Sequence, residues 1–201
     1  MTRSLLATAF LTLATSLSAT AGKFNKVLSP GDPAPAWAGL DGTDGKKHAL
    51  ADLADRDVVV VVFTCNTCPI ATDYESRIIA FAAKHAGPGA KVAVVAINPN
   101  AGKDESLPEM QKRAAKKKFP FPYLADPTQQ VAKRYGATYT PEFFVLNKER
   151  KVVYLGAMDD KSPPASATVN HLEAAVAATL KRETPATAET LARGCMVKWK
   201  R

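Results

Sequence analysis

Val58-Val59-Val60-Val61-Val62-Phe63-Thr64-Cys65-Asn66-Thr67-Cys68-Pro69 reads as a strand that runs straight into a redox motif. Six β-branched or aromatic residues in succession lack the alternation of a half-exposed strand. Both faces are therefore buried, as in the middle of a parallel sheet. Beyond the motif, Tyr74, Ile78, Phe81 and Ala82 fall at i, i+4, i+7 and i+8, which predicts a helix over residues 70–84. A Cys-x-x-Cys between strand and helix sets the first sulfur at a helix N-terminus. The partial positive charge there favours the thiolate, the species that attacks disulfides. The two intervening residues let the second sulfur reach back. Haem attachment would need His after the second Cys, where Pro69 stands, and zinc would need two further ligands. The chain has no second Cys-x-x-Cys and no His-x-x-x-His.

Outward from this stretch the same logic continues. Residues 36–40 and 46–49 read as two short strands around the turn Asp41-Gly42-Thr43-Asp44-Gly45, with a helical turn over 50–53. Residues 92–97 form a second buried strand, 107–118 a basic surface helix and 121–124 an extended piece. A helix over 128–135 ends at Gly136. Residues 143–146 and 152–155 pair as a hairpin around the turn at 147–150. A Pro-containing loop covers 161–165, and a last helix over 168–181 shows Val169, Leu172, Val176 and Leu180 on its apolar face. The order predicts one α/β domain, a mixed sheet with helices on both faces.

Met1-Thr2-Arg3, the uncharged apolar run from 5 to 17 and Ala19-Thr20-Ala21 have the layout of a secretory signal peptide. The expected organisation is a signal over 1–21, a domain over 22–183 and a polar tail over 184–201 that packs back through Val197 and Trp199. Such a chain is secreted or periplasmic, and its three cysteines, Cys65, Cys68 and Cys195, meet a compartment that permits disulfides. The net charge is +8, concentrated in Lys112-Arg113-Ala114-Ala115-Lys116-Lys117-Lys118. With no aromatic residues interleaved there, the run reads as a solvated helix face and excludes nucleic acid as the partner.

Tyr139-Thr140-Pro141-Glu142, just before the strand at 143–146, is the second motif. With it the chain resembles the thioredoxin superfamily, in its exported redoxin-like branch. The resemblance is carried by Gly31-Asp32-Pro33-Ala34-Pro35, by the Cys65–Cys68 motif, by Ala96-Ile97-Asn98-Pro99 and by Gly194-Cys195-Met196-Val197-Lys198-Trp199. It implies a thioredoxin-like fold with an N-terminal β-hairpin extension and a thiol–disulfide oxidoreductase that needs no bound cofactor. Cys65 would be the exposed attacking thiol and Cys68 the resolving one. Pro141 would be cis and face the sulfurs. The Thr140 backbone would be free to pair with an extended substrate segment. Protein or small-molecule disulfides would be the substrates, and a dithiol partner, membrane-bound or soluble, the electron donor.

Glu142 follows Pro141 directly. Near Cys65 its carboxylate would raise the thiol pKa and favour a reductant over an oxidant, whereas pointing to solvent it would do nothing. Asp159-Asp160 reads as a second acidic feature or as helix-start chemistry. Cys195 is either a third redox thiol or a buried free one. A peroxiredoxin-like peroxidase is the rival enzyme, but it needs a Thr three residues before its reactive Cys. Val62 stands there for Cys65, and Cys65 for Cys68. A metal carrier would have to recruit His48, His85 or His171, none at a ligand spacing.

Overall fold

The computed structural model describes residues 22–161 and 166–200. The proposed signal peptide, and residues 162–165 of the predicted loop, lie outside the described residues. The elements are β1 (Leu40–Gly42), β2 (Lys47–His48), β3 (Val58–Phe63), α1 (Pro69–His85), β4 (Val92–Asn98), α2 (Leu107–Lys117), β5 (Tyr123–Ala125), α3 (Gln130–Tyr135), β6 (Tyr139–Thr140), β7 (Glu142–Leu146), β8 (Val152–Gly156), α4 (His171–Leu180) and β9 (Cys195–Met196). Single 3-10 turns occupy Leu50–Leu53 and Lys103–Glu105. Seven strands form one mixed sheet in the order β2-β1-β5-β4-β3-β7-β8. β3 runs parallel to β4 and antiparallel to β7.

The valine run sits at the centre of this sheet with all six residues fully buried. Val58, Val60 and Val62 meet Tyr74, Ile78 and Phe81 of α1 and Leu172 and Val176 of α4. Val59, Val61 and Phe63 meet Tyr135 of α3, Phe144 and the arm residues Leu28 and Trp37. Both faces are covered, so each Val contributes about 1.5–3 kcal/mol of burial and no position is left for a polar residue. α1 starts where Cys68 stands as N-cap and Pro69 supplies a preset φ. Glu75, buried on α1, is ion-paired to Arg113 and, at 3.3 Å, to Lys117. Part of the basic run thus clamps α2 to α1 rather than facing solvent.

Two helices differ from expectation. The last one begins at His171, because Asn170 Oδ1 caps it by accepting from Glu173 N at 3.0 Å. The Asp160 carboxylate accepts from Thr168 N and Val169 N, and this holds those residues in a loop. Its buried face is Leu172, Ala175, Val176 and Thr179, while Val169 and Leu180 are 48% and 37% exposed. Asp160 therefore makes helix-start chemistry. α3 begins two residues late, since Gln129 adopts φ 60° in the turn closed by Gln129 N to Asp126 O.

Arm and tail are tied together. Glu189 accepts from Lys23 N, Phe24 N and Asn25 N, and Thr190 N donates to Leu155 O at 3.0 Å. Gly156 lets this approach happen: a Cβ there would lie 2.3 Å from Thr190 O. From Thr190 the chain reaches β9, which pairs antiparallel with β6.

Candidate active site

The loop after β3 presents Cys65, and Cys68 stands as the N-cap of α1, with both side chains buried. The dipeptide between them is fixed by Glu105, a buried carboxylate in the turn after β4. Glu105 accepts from Asn66 N at 2.8 Å, Thr67 N at 3.1 Å, Thr67 Oγ1 at 2.6 Å and Asn98 Nδ2 at 2.9 Å. The Asn66 side chain spans Asp104 O and the Tyr123 hydroxyl. β3 and β4 are parallel, so the loops at their C-terminal ends meet.

Thr140 faces the sulfurs. Its Oγ1 is 3.2 Å from Cys65 Sγ, and its carbonyl oxygen is 3.2 Å from Cys68 Sγ. The Thr140–Pro141 bond is cis. The disulfide, however, joins Cys68 to Cys195, across 127 residues and a Cα separation of 5.9 Å, and leaves Cys65 as the free thiol. Cys65 is also not the exposed sulfur. It is 2% exposed and Cys68 3%, while Cys195 keeps partial exposure. The physical reason is the tail. β9 sets Cys195 opposite Thr140 and Met196 opposite Tyr139, so the edge expected to be free for a substrate strand is taken by this chain itself. Val197 N donates to Thr138 O, and Lys198 Nζ reaches Thr67 Oγ1 at 3.0 Å.

Burial pushes the Cys65 thiol up. Contact with Thr140 Oγ1 works against this and the Glu105 charge adds to it. Desolvation thus outweighs the helix N-terminus that was expected to favour the thiolate. Glu142 is neither solvated nor turned to the sulfur. It is buried, and its Oε2 accepts from Thr138 N at 2.8 Å and Tyr139 N at 3.0 Å. The carboxylate acting on Cys65 is Glu105, which sequence reasoning missed. Asp159 is likewise engaged, accepting from the Tyr74 hydroxyl at 2.7 Å and pairing with Arg77. His48 pairs with Asp44 and His85 with Glu173, and among the described residues no group of three or more His, Cys, Asp or Glu could hold a metal ion.

Burial drives the Glu142 carboxyl up to about 7, against the pull of its two backbone donors. A carboxyl whose folded pKa lies above its unfolded value of 4.5 binds its proton more tightly when folded. That stabilisation is complete below pH 4.5 and is lost as pH rises through about 7. The expected loss is about 3 kcal/mol. Urea melts from pH 4.5 to 7.5 should show this fall in the native chain and a flatter profile in Glu142→Gln. Parallel profiles would mean that Glu142 is ionised throughout.

A mixed sheet flanked by helices, with cysteines at the strand–helix junction beside a Thr-Pro step, defines a thioredoxin-like protein. The redoxin family profile matches residues 29–176, and the chain belongs to that family. A hypothetical protein from Sinorhizobium meliloti 1021 is 35% identical, covering 88% of this chain and 97% of its own, with a TM-score of 0.80. An uncharacterized conserved protein from Geobacillus kaustophilus is 33% identical, covering 88% and 95%, also at 0.80. A Chlorobium tepidum protein provisionally assigned as the thiol:disulfide interchange protein DsbE is 26% identical, covering 64% and 84%, at 0.55. No curated protein matches the chain. No helix among the described residues is long and apolar enough to cross a membrane.

Proposed function

We propose that this redoxin is an extracytoplasmic thiol–disulfide oxidoreductase that acts as a reductase. Cys65 attacks the substrate disulfide, Cys68 resolves the mixed disulfide, and Thr140 and Pro141 line the sulfurs. The observation that carries this reading is the meeting of Cys65, Cys68 and Cys195 around Thr140. Similarity to the Chlorobium tepidum interchange protein supports it, as does the signal-like N-terminus. The reductive direction rests on the raised Cys65 thiol: a less stable thiolate leaves the reduced form less favoured and the pair more reducing. Glu105 takes over here the role that sequence had given to Glu142. Protein or small-molecule disulfides are the substrates, and an external dithiol supplies electrons.

Equilibration with glutathione tests the direction. A reductase should titrate near the potential of thioredoxin, roughly −270 mV. A value near that of a strong oxidant, roughly −120 mV, would reverse the assignment.

A further inference from the structure

We infer that Cys195 is a third exchanging thiol, which moves the disulfide from the buried Cys65–Cys68 pair to the surface, where the electron donor discharges it. This rests on the thiol–disulfide reading above and extends it to the donor side of the cycle.

Three independent features of the tail point to it. β9 pairs with β6 directly opposite Thr140, so Cys195 is delivered to the sulfurs by a strand rather than by a loose end. Gly194 permits this: a Cβ there would lie 2.2 Å from Thr140 O and 2.5 Å from the Thr140 carbonyl carbon. The strand is also anchored beyond the cysteine. Lys198 N donates to Asn100 Oδ1 at 2.8 Å, and Gln129 Nε2 donates to Lys198 O at 2.9 Å. Cys68 is thus a shared sulfur, bonded to Cys195 and one motif away from Cys65. Of the three, only Cys195 is partly exposed.

Substrate reduction leaves a Cys65–Cys68 disulfide and a Cys195 thiol. Cys195 gives up its proton and attacks Cys68 Sγ. The Cys68–Cys195 bond forms, the Cys65–Cys68 bond breaks, and Cys65 leaves with the electron pair and takes a proton. One disulfide is exchanged for another, with no change in oxidation level and no outside oxidant. The product is the state of this structure, with Cys65 free and the disulfide reaching the surface. An external thiol then attacks Cys195 Sγ and releases Cys68, and a second completes the reduction. Until then the bond holds β9 along the Thr140 edge, so the oxidised chain does not engage another substrate.

The test uses the mature chain with insulin as disulfide substrate and reduced glutathione as donor. Acid quench, alkylation and peptide mass mapping follow the disulfides. The expected course is Cys65–Cys68 first and Cys68–Cys195 as the main product, with Cys65 alkylated. In Cys195→Ser the product stops at Cys65–Cys68. Glutathione-driven turnover then falls by about tenfold or more, because the donor must reach sulfurs that are 2–3% exposed. Gly194→Ala, which leaves every sulfur in place, should lower the Cys68–Cys195 fraction. Insulin reduction with Cys65–Cys68 as the only disulfide, or unchanged turnover in Cys195→Ser, would overturn the relay and leave the reductase reading standing. No insulin reduction by the native chain would remove the reductase reading itself.

Discussion

Cys65→Ser is expected to abolish insulin reduction, and Cys68→Ser to stop the reaction one step later, with substrate still attached. Cys65 is the only cysteine outside the disulfide, held 3.2 Å from Thr140 Oγ1 at the end of a fully buried strand. Without its sulfur no mixed disulfide can form at that position, and the loss is on the order of 10³-fold or more, as when the nucleophile of a catalytic unit is removed. Cys68 is bonded to Cys195 and lies beside Thr140 O. Its replacement leaves the attack intact and takes away the resolving sulfur, so a Cys65–substrate adduct accumulates. Non-reducing gels with a labelled disulfide peptide read both outcomes. Turnover in Cys68→Ser, or an adduct on Cys195 in place of Cys65, would reverse the order of the thiols.

Much of this was legible in the chain because it is local. Val58–Phe63 has no polar position, and that absence alone puts it at the sheet centre with cover on both faces. Pro69 and Gly136 mark a helix start and a helix stop by backbone chemistry that needs no neighbours. The last helix was misplaced because its start is decided by Asp160, whose carboxylate holds Thr168 and Val169 across eight and nine residues. The disulfide partner was less accessible still. Cys-x-x-Cys spacing allows Cys65–Cys68, and Cys195 displaces that pairing only because the tail is led in by Glu189 and Thr190 and fitted through Gly194. Glu105 left a fainter signal, an acidic pair after Asn98-Pro99-Asn100-Ala101-Gly102. That loop leaves the C-terminal end of a strand parallel to the one carrying the motif, and loops at such ends converge.

Glu105 is therefore the residue whose removal should disturb the site most without touching a sulfur. In Glu105→Ala, Asn66 N and Asn98 Nδ2 lose their acceptor in a buried setting, and Thr67 loses two bonds at the edge of it. Unmet buried donors cost about 1–3 kcal/mol each, so a loss of about 3 kcal/mol in urea melts is expected. That outcome alone would describe a structural residue. Glu105→Gln separates the roles, because it keeps the shape and one acceptor oxygen while removing the charge. The Glu105 charge works with burial to hold the Cys65 thiol above its ordinary value. The Gln variant should therefore bring that pKa down and make the pair less reducing. With the Cys68–Cys195 bond intact, Cys65 is the only thiol left to alkylate, so the rate of iodoacetamide labelling against pH reads it directly. A labelling profile that does not move in Glu105→Gln, alongside a stability loss in Glu105→Ala, would leave Glu105 as a clamp on the Asn66-Thr67 backbone. The reductive bias would then have to come from burial of Cys65 alone.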